Sequence, residues 1–451
     1  MASSEPRAGS VPGSAELLSA ARDGVLDAGE WSQLRPWIRS LPEAASAEGD
    51  ALVRAYFATD MPEAQRLEAA SLIKKRLGYP VPSPLSPQRA TERRQAVDRA
   101  LRGNVTRVDS KLEALARRFG RHANQVTIAV IDDGFDTEVP ALRGRNAGGA
   151  FAHAPRAHGT HVAAIAVAGT PNIKTHFIKA DFVDRSAQDF EAAIATGARL
   201  INYSIAAQGD TAASIARVLA RHPEVLVIAG AGNDGYPGVP GIVDDSPASL
   251  AQVHASRLVR MDLPNVIDVA NARADGSLNP ESAFGPLHVE IAAPGTDVLS
   301  AIPRHRIRQE SYELQIGTSQ AAPRVTNALA KALIMNPGLT RAELVRLLAA
   351  AADRQPYWSD KVGVGGTLNE RRTYQLALLI DLVRAGGRPP AAAAAITTDR
   401  AERAALLEAL QLFESTAAKE PASASMSMMR EVKLPNAGGF SAGGAHLRRD
   451  R

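Results

Sequence analysis

The chain has 451 residues, 45% of them hydrophobic and 22% charged, and its 52 basic residues nearly balance 48 acidic ones for a formal net charge of +4. Such a composition suits a globular protein with a sizeable core, and aromatics at 4% leave the packing to Ala, Val, Leu and Ile. Charge spread along the whole chain argues against a nucleic-acid partner, no stretch reads as a membrane span, and the lack of cysteine excludes disulfides, thiolate metal sites and a cysteine nucleophile.

The first fourteen residues, MASSEPRAGSVPGS, carry no apolar run of the kind a general secretory signal needs. The expectation is a cytoplasmic protein, or one exported by a route without such a signal. From Ala15 to about Gly78, apolar residues recur at spacings of three and four, as in Leu34, Trp37, Ile38 and Leu41, which predicts a small helical domain. ARDGVLDAGEW, at Ala21 to Trp31, resembles the second half of an EF-hand loop, but Ser19 and Ala21 stand where acidic ligands are required, so a capped helical turn is the better reading. Tyr79 to Gln88 has four prolines and reads as a linker closing an N-terminal region of residues 1–88. A basic helix from about Ala90 to Phe119 opens the next region, residues 89–386.

Beyond that helix, short β-branched runs alternate with Ala-rich helical ones: VTIAVID, HVAAIAVA, FIKADFV, AQDFEAAIATGA, LINYSI, TAASIARVLARH, VLVIAGAG, NVIDVANA and VEIAAPG. This alternation predicts an α/β fold in which helices cover both faces of a mostly parallel sheet. Functional residues in such sheets gather at the carboxyl ends of strands, which is where Asp132, Ser204 and Asn233 fall. The strand pattern ends near Ser300, and helices follow from Ser319 to Met335, through NPGLTRAELVRLLAAAA, and through NERRTYQLALLIDLVRA. Residues 387–451 read as an extension: a Pro- and Ala-rich stretch from Arg388 to Ile396, a helix from Asp399 to Phe413, and a disordered tail from Glu414.

Three separated motifs carry a nucleophile constellation. VIDDG ends an apolar strand with Asp132, HGTHVA supplies His158, and GTSQAAP places Ser319 at a helix N-terminus. A serine hydroxyl is a poor nucleophile without a base, so His158 is the candidate base and Asp132 the carboxylate that fixes its tautomer. The helix N-terminus brings Ser319 close to unpaired backbone N–H groups suited to a developing oxyanion, and Asn233 in VIAGAGNDG is the candidate side-chain donor beside them. His161, one turn after His158, lacks both the spacing and a third ligand for zinc and is read as structural; no metal is assigned to this site.

These motifs resemble those of the subtilisin-like serine proteases, the subtilases, from about Val126 to Leu378. VIDDG, HGTHVAAI, INYSIA, AGAGNDG, NVIDVA, AAPG, GTSQAAPRV and GGTLN all fit that pattern in order. The resemblance implies a subtilisin-like three-layer fold and a serine endopeptidase that acylates Ser319 and needs no cofactor for its chemistry. A structural calcium is open, although no complete motif for one is evident. It further implies that Ser204, Ile205 and Ala206, with Ala229, Gly230, Ala231 and Gly232, pair with an extended protein or peptide substrate by strand addition. The N-terminal region is a candidate inhibitor of the site, although its helical pattern differs from the α+β prodomain usual in the family, and its other reading is a docking or regulatory domain that remains attached. The alternative is a catalytically silent relative that binds an extended peptide in the same cleft; its mark would be a lost catalytic residue, and Asp132, His158, Asn233 and Ser319 are all present.

Several positions depart from the family pattern. Asp133 replaces a usual Ser or Thr and is expected to turn away from the site; Gln320 replaces Met and Arg324 replaces His on the serine helix. Ala206 replaces a glycine of the substrate strand. Asp234, with Asp244 and Asp245, is read as a solvated acidic loop, the alternative being a pocket rim that favours basic side chains in a substrate.

Overall fold

The computed structural model describes residues 108–148, 156–180, 186–205, 210–233, 263–303 and 312–417. The expected N-terminal helical region, its linker, the EF-hand-like half-loop, Ala206, Asp234, Asp244, Asp245 and the tail beyond Ala417 lie outside these residues.

The described chain begins with α1 (Ser110–Arg118), whose N-cap Asp109 accepts the backbone N–H groups of Lys111 and Leu112, and which buries Leu112, Leu115 and Ala116. Then come β1 (Val126–Asp132), α2 (Ala157–Ala166), β2 (Ile173–Lys179), α3 (Ser186–Ala195), β3 (Leu200–Tyr203), α4 (Asp210–Arg221), β4 (Leu226–Gly230), β5 (Val266–Ala272) and β6 (Ile291–Pro294). A two-stranded antiparallel hairpin, β7 (Val298–Ala301) with β8 (Tyr312–Gln315), leads into α5 (Thr318–Met335). The chain closes with α6 (Arg341–Ala351), β9 (Asp353–Arg354), β10 (Gly366–Thr367), α7 (Glu370–Arg384), α8 (Pro389–Ile396) and α9 (Arg400–Ala417).

The main sheet has the order β2-β1-β3-β4-β5-β6-β10-β9, parallel throughout except for the pairing of β9 with β10. Side chains alternate along each strand, so one set meets helices on one face and the next set meets helices on the other. Ile128, Val130, Leu226, Ile228, Ile267 and Val269 pack with α2, α5 and α7, whereas Ala129, Ile131, Ile201, Tyr203 and Val227 pack with α3 and α4. This is the three-layer arrangement expected from the alternating texture. Register sets the functional edge: Ile131 pairs with Tyr203, Tyr203 with Ala229, and Ala229 with Asp268, so Asp132 and Ser204 leave their strands at one level.

Helix α5 runs through the core, and every residue in it is buried except Ser319 and Arg324. Burying Val325, Leu329, Leu333 and Ile334 contributes about 1.5–3 kcal/mol per side chain, before the entropy of ordering is set against it. At the end of the chain the structure adds order to the sequence reading. The Pro- and Ala-rich stretch is helix α8, started by two prolines at its first turn, and residues 414–417 finish helix α9 instead of opening a tail. Ala393, Ile396, Leu406, Leu410 and Phe413 join the same core as α6 and α7. Among the described residues no helix is long and apolar enough to cross a membrane.

One polar pair interrupts the core. Asp268 on β5 and Glu290 just before β6 are both buried, the Asp268 N–H donates to Glu290 Oε2 at 2.7 Å, and Asp268 Oδ1 has no hydrogen-bond partner. Burial first, and the neighbouring Glu290 carboxylate second, hold the Asp268 carboxyl well above its ordinary 3.8. A carboxyl with a raised folded-state value favours folding in its protonated form, so that stability is fully present below the unfolded value and is lost as pH rises through the folded one. Melting temperatures followed from about pH 4 to about pH 9 should therefore fall more steeply in the wild type than in Asp268→Asn, with the gap widening on the alkaline side; parallel curves would dismiss this account.

Candidate active site

Asp132 ends β1 fully buried, and its Oδ1 accepts two hydrogen bonds: from His158 Nδ1 at 2.8 Å and from the Asp133 N–H at 2.8 Å. The carboxylate can only accept, so the hydrogen is on Nδ1 and Nε2 is the basic nitrogen of the ring. His158 is the second residue of α2. The next residue, Gly159, packs so closely on the turn after β1 that a Cβ there would lie 2.2 Å from the Gly134 carbonyl and 2.9 Å from Asp133 Oδ1. The glycine of HGTH is thus what allows the helix that carries His158 to sit against the strand that carries Asp132.

Ser319 is the second residue of α5, where helix geometry leaves its N–H without a partner inside the helix. Pro323, in the same helix, has no N–H to give to the Ser319 carbonyl four residues before it. Ser204 fills that place: its Oγ donates to the Ser319 carbonyl at 3.0 Å, while Ser319 Oγ donates to the Ser204 carbonyl at 3.0 Å. Asn202 Nδ2 donates to Ser204 Oγ at 3.0 Å, and Thr326 Oγ1 donates to Asn202 Oδ1 at 3.0 Å, so the end of β3 and the first turns of α5 share one network.

Asn233 follows β4, and its Oδ1 accepts the Thr318 N–H at 2.8 Å and the Thr318 hydroxyl at 3.2 Å. An amide oxygen fixed on a backbone donor leaves Nδ2 as the free end, and Nδ2 lies 3.3 Å from where a Cβ on Gly317 would be. The amide nitrogen is therefore held at the serine turn. The AAPG motif supports the turn from below: the Gly317 N–H donates to the Gly295 carbonyl at 2.9 Å, and a Cβ on Gly295 would lie 2.5 Å from the Gly317 carbonyl.

The expected substrate residues divide into two groups. Ser204 and Ile205 lie just past the end of β3 at the carboxyl edge of the sheet. Ala229 and Gly230 belong to β4, a strand paired on both sides by β3 and β5, and the Ala231 N–H and Gly232 carbonyl bond to Val269 and Ala283. Backbone so engaged cannot add a substrate strand. This corrects the expected pairing role of residues 229–232, whose backbone is engaged within the sheet and with Ala283.

The departures from the family pattern also find places. Gln320 Nε2 donates to Gln315 Oε1 at 3.0 Å, and Arg324 pairs with Glu370 at 3.1 Å, joining α5 to α7. His161 is buried, its Nε2 lies 3.0 Å from both the Val298 and Glu313 carbonyls, and burial is the main cause that lowers it to about 3. It is a neutral clamp on the hairpin, in keeping with a structural role. His176 Nδ1 lies 2.9 Å from the Gly148 carbonyl, and His153 is outside the described residues. Asp133 contradicts its expectation: it is buried against the site, with Oδ1 accepting the Gly159 N–H at 2.9 Å. Sequence reasoning also misses the Ser204 and Thr318 side-chain contacts; Pro323, which strips Ser319 of its helical partner, is the available signal.

The chain belongs to the subtilase family, whose profile matches residues 123–365, more than half of its length. It is 32% identical over 118 residues to Subtilisin-like protease 1 of Plasmodium vivax, covering 25% of this chain and 18% of that protein. With the Cell wall-associated protease of Bacillus subtilis (strain 168) it shares 28% identity over 278 residues, 56% of this chain and 28% of the relative. A solved structure titled "Structural basis of subtilase cytotoxin SubAB assembly" aligns at a TM-score of 0.46 and 22% identity, over 59% of this chain and 94% of the other. The chain spans less than a third of the length of the first curated relatives it matches.

Replacing Ser204 by Ala leaves the Ser319 carbonyl with neither its helical donor nor the hydroxyl. We expect a loss of about 1–3 kcal/mol in chemical denaturation. Glu191→Ala, at an exposed residue that pairs with Arg221, should stay within about 0.5 kcal/mol. Equal effects at the two positions would remove the role given to Ser204.

Proposed function

We propose that this chain is a serine endopeptidase that cleaves protein substrates through an acyl-enzyme at Ser319. The observation that carries the reading is the 2.8 Å bond from His158 Nδ1 to the buried Asp132 carboxylate, at the same sheet edge where Ser319 heads α5. As the Ser319 oxygen attacks the peptide carbonyl carbon, its proton passes to His158 Nε2, and Asp132 stabilises the imidazolium that forms. The new oxyanion receives Asn233 Nδ2 and the Ser319 N–H. The imidazolium then gives its proton to the leaving amine, and water repeats the sequence to release the acid.

In the resting site the Ser319 hydroxyl rests on the Ser204 carbonyl. An extended substrate laid along residues 204–206 brings its own N–H to that carbonyl and frees the hydroxyl hydrogen for His158. Strand addition at this edge favours substrates that are locally unfolded. The N-terminal region, which precedes the catalytic core in the chain, is proposed to act as an inhibitor in the same groove.

Hydrolysis of an unfolded protein and of short peptides by the wild type, Ser319→Ala and Asn233→Ala tests the reading. We expect cleavage inside the chain by the wild type, background rates for Ser319→Ala, and a fall of about 10²–10³ in kcat for Asn233→Ala. Peptide bound but never cut by the wild type would favour the silent relative, and cleavage surviving in Ser319→Ala would refute the assignment.

A further inference from the structure

The end of β1 and the start of α2 bring three ionisable side chains together. Ligand-type atoms of Asp132, Asp133 and His158 all lie within 4.8 Å of one another. Asp132 Oδ1 is used twice, by His158 and by the Asp133 N–H, while Asp132 Oδ2 is buried with no hydrogen-bond partner. A buried carboxylate oxygen left without a donor is costly. The adjacent Asp133 carboxyl, whose oxygen lies in the same 4.8 Å cluster, is the neighbouring side chain that can supply one when protonated. Asp133 Oδ1 meanwhile holds the Gly159 N–H at 2.9 Å, one residue from the base.

We propose that Asp133 is a positioning residue that shares a proton with Asp132 behind His158, so that its charge sets how firmly His158 holds its own proton. The inference rests on the reading of His158 as the base of a serine peptidase. Burial, then the Asp132 charge, push the Asp133 carboxyl up to about 7, and the His158 charge and the Gly159 N–H pull the other way. With Asp133 ionised, two negative charges face the ring and favour the imidazolium. With Asp133 protonated, its O–H satisfies the orphan oxygen of Asp132, one negative charge remains, and His158 gives up its proton more readily. The Gly159 contact is available in both states, so the helix start keeps its place while the charge changes.

Among the described residues, other ionisable groups on the surrounding elements are engaged elsewhere or stand outside, and Arg156, the N-cap of α2, is half-buried and makes no side-chain capping bond. His161 on α2 is buried and neutral, Lys179 on β2 is exposed, Asp136 bonds to the turn backbone at Glu138, and Asp189 on α3 is half-buried on the opposite face of the sheet. Glu191 on α3 pairs with Arg221, and on α5 Arg324 pairs with Glu370 and Lys331 with Asp109. Among the described residues the titration near His158 therefore belongs to the cluster of three, and its apparent values belong to no single member.

The test combines the pH profile of kcat/KM on a peptide with the titration of the His158 ring followed by NMR on histidine labelled at Cε1, its signal assigned with His158→Gln. Wild type should show an acid limb spread over more than one ionisation. In Asp133→Asn the limb should sharpen to a single ionisation, with its midpoint and the His158 titration both moving about one pH unit lower. Asp133→Ser, which offers a hydroxyl to the Gly159 N–H without the charge, should follow the Asn variant and carries the test if that variant does not fold. An unmoved His158 titration in either folded variant overturns the inference while hydrolysis by the wild type keeps the peptidase reading. A moved titration with no hydrolysis by the wild type at any pH does the reverse.

Discussion

A reciprocal pair of hydrogen bonds between Ser204 and Ser319 joins the end of a central strand to the first turn of the most buried helix, and much of the site hangs on it. Pro323 creates the need by removing the N–H that would have capped the Ser319 carbonyl inside α5. The Ser204 hydroxyl answers it, and through Asn202 and Thr326 the same network returns to α5. Because β3 is paired with β1, the level of Ser204 is also the level of Asp132, and hence of His158. Position in this site is a consequence of sheet register and helix burial, and loop conformation enters mainly at the glycines that permit close approach.

The electrostatics follow the same geometry. The parallel sheet delivers carboxylates to places from which water is excluded, and each is answered in a different way. Asp132 is bonded to His158 through one oxygen, Asp133 rests on the N-terminus of the helix that carries His158, and Asp268 leans on Glu290 with one oxygen unsatisfied. The first two take part in a site where a changing charge can be useful. The third lies on the far face of the sheet from α5, and its cost falls on stability alone.

Much of this is legible in the sequence because periodicity and motif report local geometry. The alternating β and α texture from VTIAVID to VEIAAPG points to the parallel sheet, and the strand-end positions of Asp132, Ser204 and Asn233 mark its functional edge. What escapes depends on partners far along the chain. Nothing near Asp133 announces that Gly159, 26 residues on, will turn its N–H toward that carboxyl. The family resemblance implies that Ala229 to Gly232 pair with substrate, yet the bonds of β4 to its neighbouring strands already engage that backbone. At Arg388 to Ile396 the Pro- and Ala-rich composition names no element by itself, whereas prolines at a first turn and alanines against α7 are what a short buried helix uses.

The central claim is that Ser319 is a nucleophile poised by His158 and Asp132. The most direct measurement is peptide-level mass spectrometry of the native protein after reaction with a fluorophosphonate. The account predicts one adduct, on the peptide that contains Ser319, and its loss in His158→Gln. Hydrolytic activity with no adduct there, or an adduct that persists undiminished without His158, would contradict it.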